Sequence, residues 1–154
     1  MRGKARVLLA AASVAAVALV ISLVTVSTAA TVSKITVIEH AVTDTVVDTD
    51  GDGADSTGDL LTFYNELFDA DNEEVVGSDQ GDCTRIEVGV SWECRWTSFL
   101  EGGSIMVEGP YYDGGPSTVA ITGGTGAYKD ASGTAKITTS ADGTEVTFAF
   151  KIIT

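Results

Sequence analysis

Beyond its first thirty residues the chain reads as an all-β domain, either a sandwich or a closed barrel. Three observations predict this. Short runs alternate apolar and polar residues, most clearly Val146, Phe148, Phe150 and Ile152, and such alternation puts a residue set on one face of a strand. Glycine-marked turns separate the runs, at Glu101-Gly102-Gly103, Asp113-Gly114-Gly115-Pro116 and Ala141-Asp142-Gly143. No long amphipathic helical stripe interrupts them, and many short strands with marked turns define an all-β architecture.

The first element is a leader. Arg2, Lys4 and Arg6 precede an apolar run from Val7 to Val26, and Ser27-Thr28-Ala29-Ala30 closes it with small residues. That order is the order of a secretory signal peptide cleaved after Ala29 or Ala30. A retained membrane anchor is the competing reading, because the run nearly suffices to cross a bilayer. Residues 1–30 are therefore set aside, and 31–154 form one domain. Three of the nine basic residues and none of the 22 acidic ones lie in the leader, so six cations remain against 22 anions, a net −16. So acidic a surface repels nucleic acid and anionic membranes and favours solubility in a secreted, extracellular protein.

The strands follow in order. Val37 to Val47 reads as the first; Ile35, Val37 and Glu39 share one side, Thr36, Ile38 and His40 the other. Leu60 to Phe68 is the next strong run, Glu74 to Gly77 a short one, and then come Thr84 to Val88, Ser91 to Leu100, Ser104 to Glu108, Ser117 to Thr122, Thr134 to Thr138 and Glu145 to Ile152.

Between the first two runs lies an acidic loop. Asp48, Asp50, Asp52 and Asp59 fall at positions 1, 3, 5 and 12 of an EF-hand-like loop, with Gly53 at position 6. Alternating oxygen ligands suit calcium, and the glycine permits the sharp turn. Asp55 stands where that loop is apolar, Asp59 reaches less far than Glu, and no helix flanks the segment. The alternative is a solvated acidic connection. No other metal or cofactor is read from the chain.

Cys83 and Cys94 are the only cysteines. Export makes a disulfide the expected state; two free thiols or a metal pair are the alternatives, and a metal site calls for further ligands nearby. Their spacing suits a hairpin turning near Val88 to Val90. Opposed residues of an antiparallel pair sum to a constant, so Cys83 facing Cys94 puts Arg85 opposite Trp92 on the same side of the sheet.

Glycines cluster again in Gly109 to Lys136, GPYYDGGPSTVAITGGTGAYKDASGTAK. A dinucleotide fingerprint needs a helix directly after its glycines, and AYKDASGTAK carries no apolar stripe. GPYYDGGPSTVAITGGTGAYKDASG instead resembles the core of allene oxide cyclases, and GGTGAYKDASG also resembles dirigent proteins. The resemblance runs from about Lys34 to Ile152. It implies a single closed eight-stranded antiparallel β-barrel, lipocalin-like in shape, and assembly as a homodimer or homotrimer. It also implies an isomerase, an intramolecular cyclase that folds an unsaturated epoxide or similar reactive hydrophobic substrate in a nonpolar cavity. The alternative it carries is a dirigent-like or lipocalin-like binder of a small hydrophobic or aromatic ligand.

The resemblance also implies site residues. Glu39, in Thr36-Val37-Ile38-Glu39-His40-Ala41, stands at the family's strand-one glutamate. GDLLTFYN puts Phe63 at an aromatic position and Asn65 at one that steadies an ordered water. Cys83 stands at a cavity cysteine, Trp92 at a cavity phenylalanine and Tyr111 at a cavity tyrosine. Glu39 and Asn65 are thus the expected catalytic pair; Phe63, Arg85, Trp92 and Tyr111 are the expected substrate-binding set. The companion asparagine two residues after the glutamate is replaced by Ala41, and a Cys83–Cys94 bridge leaves no cavity thiol. Arg85 stands where the family has an apolar residue. A buried guanidinium needs an acid; Glu39 is the expected partner, which would hold that carboxylate ionised. Set against all this, Phe63, Trp92 and Tyr111 also read as ordinary barrel filling, Glu39 as a solvated rim residue, and His40 as outward-facing.

Overall fold

The computed structural model describes residues 30–154, so the leader, with its signal-or-anchor reading, lies outside the described residues. The elements are β1 (Val32–His40), β2 (Thr45–Val47), β3 (Leu60–Phe68), β4 (Val75–Glu87), β5 (Ser91–Leu100), β6 (Gly103–Tyr112), β7 (Ser117–Gly124), a single 3₁₀ turn (Gly126–Tyr128), β8 (Ser132–Thr139) and β9 (Glu145–Ile153). From β3 to β9 every strand pairs antiparallel with its successor, and β1 pairs with both β9 and β3. The result is a closed eight-stranded antiparallel barrel with one short strand, β2, outside the count. Closure satisfies the ladder groups that an open sheet would leave at its edges.

Alternation dictates what fills the cylinder. On β9, Val146, Phe148, Phe150 and Ile152 are buried while Lys151 is exposed. Ile105 and Val107 from β6, Val119 and Ile121 from β7, and Ile137 from β8 meet them across the lumen. Burial of each such side chain stabilises the fold by about 1.5–3 kcal/mol.

Three stretches differ from their sequence reading; one is β6, which runs past the expected end at Glu108 through Gly109-Pro110 to Tyr112. Val37 to Val47 is not one strand: β1 stops at His40 and β2 resumes on the same edge of β3. Side chains replace the ladder across the gap. The Asn65 carbonyl oxygen accepts the backbone N–H of Val42 (3.1 Å) and Thr43 (2.9 Å). The Thr43 hydroxyl donates to the Tyr64 carbonyl (2.6 Å) and accepts the Tyr64 N–H (2.8 Å). Direct β1–β3 pairing is left with Ile38↔Phe68, Glu39↔Leu67 and His40↔Glu66. The third difference is that the two short runs at Glu74 and Thr84 are one long strand, β4, which carries Asp79-Gln80-Gly81-Asp82 through the barrel wall. Gly81 permits this. A Cβ there would collide with the Trp96 Cβ and lie 2.8 Å from the Phe63 ring.

The β4–β5 hairpin has the expected register, with Cys83 opposite Cys94 and Arg85 opposite Trp92. The two cysteines are disulfide-bonded and buried.

Candidate functional site

Inward-facing residues of β1, β3 to β6 and β9 meet in a cavity of about 90 Å³. Glu39 is the last inward residue before β1 breaks, and it is 4% exposed. Leu61, Phe63, the Cys83–Cys94 bridge, Trp96, Val146 and Phe148 form the walls. Asp44 and Tyr111, both in contact with solvent, stand at the mouth. The Tyr111 hydroxyl is 2.6 Å from the Thr139 hydroxyl, which fixes its ring.

Asn65 holds the acid in place. Its side-chain amide donates to Glu39 Oε1 (2.6 Å) and to Asp44 Oδ1 (2.8 Å), while its carbonyl oxygen is engaged by the 42–43 backbone. Every polar atom of the side chain is thus committed, so its position is fixed. Burial pushes the Glu39 carboxyl up to about 7, against the pull of the Asn65 amide and with the Asp44 charge adding to the rise. A carboxyl so placed carries a proton near neutrality and can give it to an oxygen of a bound molecule.

Behind Glu39 lies a second acid. Asp79, opposite Asn65 in the β3–β4 ladder, is wholly buried. Burial, with the neighbouring Glu39 charge, pushes it up to about 9.

Arg85 does not meet Glu39. It is 7% exposed and points inward as expected, but at the rim. Its guanidinium lies 3.9 Å above the Trp92 ring. Nη1 donates to both Asp113 oxygens (2.9 and 2.7 Å), and Nε donates to Asp55 Oδ1 (2.9 Å). Acids on two loops that converge on the barrel end reach it first. Glu39 is therefore raised rather than held ionised. Trp92 belongs to this rim cluster with Val46, Asp55 and Asp59, whereas Trp96, two steps of the alternation further in, lines the cavity.

The acidic loop folds over that rim. Asp48, Asp50 and Asp52 each bring a carboxylate oxygen within 4.8 Å of the others. Asp59 is not with them. It is buried and accepts the backbone N–H of Thr49 and of Ser56 (both 2.9 Å), contacts that hold it below its ordinary value. The Asp59 backbone carbonyl also takes the Arg85 N–H (2.8 Å). His40 lies outside the lumen, stacked 4.0 Å from the Phe68 ring, with Nε2 donating to Asn72 Oδ1 (2.8 Å).

The structure thus brings together Glu39, Asn65, Phe63 and Tyr111; it sets Arg85 apart from Glu39, and Trp92, the cross-strand partner of Tyr111, stands with Arg85 at the rim instead of lining the cavity. Asp79, Trp96 and Asp44 were not singled out from sequence, and Phe148 was read there only as part of the alternating face of the last strand. For two of them a signal existed: Asp79 is four residues before Cys83, and Trp96 two after Cys94, so both share the inward parity of the bridge.

Comparison with known proteins gives the same architecture. A pyocyanin demethylase is 26% identical, with a TM-score of 0.67, over 78% of this chain and 99% of that one. An exo-specific intermolecular Diels-Alderase is 19% identical, with a TM-score of 0.67, over 82% of this chain and all of that one. A pterocarpan synthase dirigent protein is 16% identical, with a TM-score of 0.61, over 81% and 88%. The family model described as the allene oxide cyclase barrel like domain matches residues 35–152. The chain therefore belongs to the allene oxide cyclase barrel-like family.

Proposed function

We propose that the barrel takes up a compact, unsaturated small molecule and acts on it as an isomerase or cyclase, with Glu39 as the proton donor. One observation carries this: a buried carboxyl, gripped by the Asn65 amide at 2.6 Å, lines a cavity walled by Phe63, Trp96 and Phe148. The walls confine the ligand in one conformation, and the acid meets charge that develops on a ligand oxygen. No covalent intermediate is required. A volume of about 90 Å³ suits one ring or a short unsaturated segment rather than an extended acyl chain. The 26% identical relative is named for acting on pyocyanin, a small aromatic compound, which supports a ligand of that class.

The second reading is a non-enzymatic binder that orients the same class of ligand. The aromatic walls favour it equally, and only the placement of Glu39 favours the enzyme. In either case, we read Met1 to Ala30 as an export leader, so that the acting form is the secreted domain.

Mass spectrometry of small molecules retained by the purified domain would name the ligand. On that ligand, Glu39→Gln is expected to lower turnover at least about 100-fold, the usual worth of a general acid, while binding persists. Turnover at the wild-type rate in this variant overturns the enzyme reading.

A further inference from the structure

Behind Glu39 the lumen holds polar groups to which the proposed reaction gives no task. Neither oxygen of Asp79 meets a donor in hydrogen-bond geometry among the described residues, and the side chain beside it is the Glu39 carboxyl; the Ser98 hydroxyl and the Trp96 indole N–H are likewise without a partner. Asp79 and Ser98 are both wholly buried. The register makes them one layer. Asn65 faces Asp79 across β3–β4, Asp79 faces Ser98 across β4–β5, and the Asn65 amide reaches Glu39 on β1.

Charges around this layer are few. From β6 to β9 the buried lumen residues include Ile105, Val107, Val119, Ile121, Ile137 and Phe148, with Ser117, and no buried residue of these strands carries a charge. Asp44 at the mouth is the other acid in reach, and it is negative. Arg85, the buried cation, is engaged by Asp55 and Asp113 at the rim. Two neighbouring buried carboxyls without a cation between them do not both ionise. Glu39 receives the Asn65 side-chain amide at 2.6 Å, whereas Asp79 has no donor contact of that quality, so a charge is better tolerated on Glu39.

We propose that Asp79 is a positioning residue for Glu39: it keeps its proton and donates it as a hydrogen bond to the Glu39 carboxylate. This rests on the acid role of Glu39 proposed above. When Glu39 protonates the ligand, its O–H bond breaks, the electron pair stays on the Glu39 oxygen, and the ligand gains an O–H bond. One negative charge moves from ligand to Glu39. The Asp79 O–H and the Asn65 amide then both point at it. The pair alternates between neutral and singly charged, and the doubly charged state is avoided. Asp79 touches no ligand.

Carboxyl-carbon NMR titration of the ligand-free domain tests this without any substrate. In Asp79→Leu, Glu39 loses a donor, and its midpoint is expected to rise by about one pH unit, the worth of one charge-assisted hydrogen bond. In Asp79→Asn the side-chain amide replaces the lost donor, so the midpoint is expected to stay near wild type. Asp44→Asn should lower it in every background. A fall of the Glu39 midpoint in Asp79→Leu would mean that Asp79 is an anion, and no change would mean that it is mere filling. Either result overturns the proposal and leaves the acid role of Glu39 standing. The expected rise, together with unchanged turnover in Glu39→Gln, would instead retain the pair and discard the reaction.

Discussion

Asn65 donates its amide to Glu39 at 2.6 Å while its carbonyl oxygen accepts the backbone N–H of Thr43 at 2.9 Å. One side chain both holds the acid and replaces the missing rungs between β1 and β3. Removing it leaves buried donors and acceptors unmade, which costs about 1–3 kcal/mol. Asn65→Ala is expected to lower the urea midpoint accordingly, and to speed amide exchange at Val42 and Thr43. An unchanged midpoint would show that the seam does not depend on it.

Stability should depend on pH through the two inner acids. Both bind protons more tightly folded than unfolded, Glu39 at about 7 against an ordinary 4.5 and Asp79 at about 9 against 3.8. Their contribution is complete at acid pH, below the unfolded values, and is lost as pH rises through about 7 and then about 9. Asp142, held down to about 2 by the Ser140 and Thr144 hydroxyls, works the other way and is lost only as pH falls toward that value. Thermal midpoints are therefore expected to fall from about pH 5 to pH 9, and the double variant Glu39→Gln/Asp79→Asn should flatten that slope. Equal slopes in both proteins would contradict the assignment.

Arg85→Met should free the 48–59 loop from the rim. Its partners Asp55 and Asp113 are partly exposed, so the loss is expected at about 1–3 kcal/mol rather than the larger cost of a sealed pair. Trp92 loses its cationic cover, and proteolysis within the loop should accelerate. Glu39 should titrate as in wild type, because the two groups do not meet. A shift there would restore the pairing first expected from the sequence.

Reduction of Cys83–Cys94 opens a loop of sequence separation 11. The chain-entropy cost of so short a loop is about 2–3 kcal/mol. Replacing both cysteines by serine is expected to lower the unfolding free energy by that amount and to widen the Glu39 cavity, which the bridge lines. A denaturation midpoint equal to wild type would show that the hairpin is held by its ladder alone.

Local pattern made the barrel readable. Val146, Phe148, Phe150 and Ile152 alternate without a fault, and the constant-sum rule for Cys83 and Cys94 gave the Arg85–Trp92 pair directly. What stayed hidden depends on groups far apart in the chain. Arg85 is 30 residues from Asp55 and 28 from Asp113, and no local pattern says which acid arrives first. The break at residues 41–44 follows from Asn65, more than twenty positions later. Asp79 was concealed by composition: Ser78-Asp79-Gln80-Gly81-Asp82 is polar throughout and falls between the two short runs, and only its parity with Cys83 betrays an inward carboxyl.

The cylinder is not equally firm all round. β1 meets β9 along nine residue pairs but β3 along three, and Glu39 lies in the shorter join. Along that line the wall has its least backbone to separate. A guest larger than the resting hollow would gain space there, by parting the stave that carries the acid, rather than at the tightly laced ends. The proposed proton donor and the point of yielding then coincide, so admission and the proposed proton donation would be governed by the same few rungs.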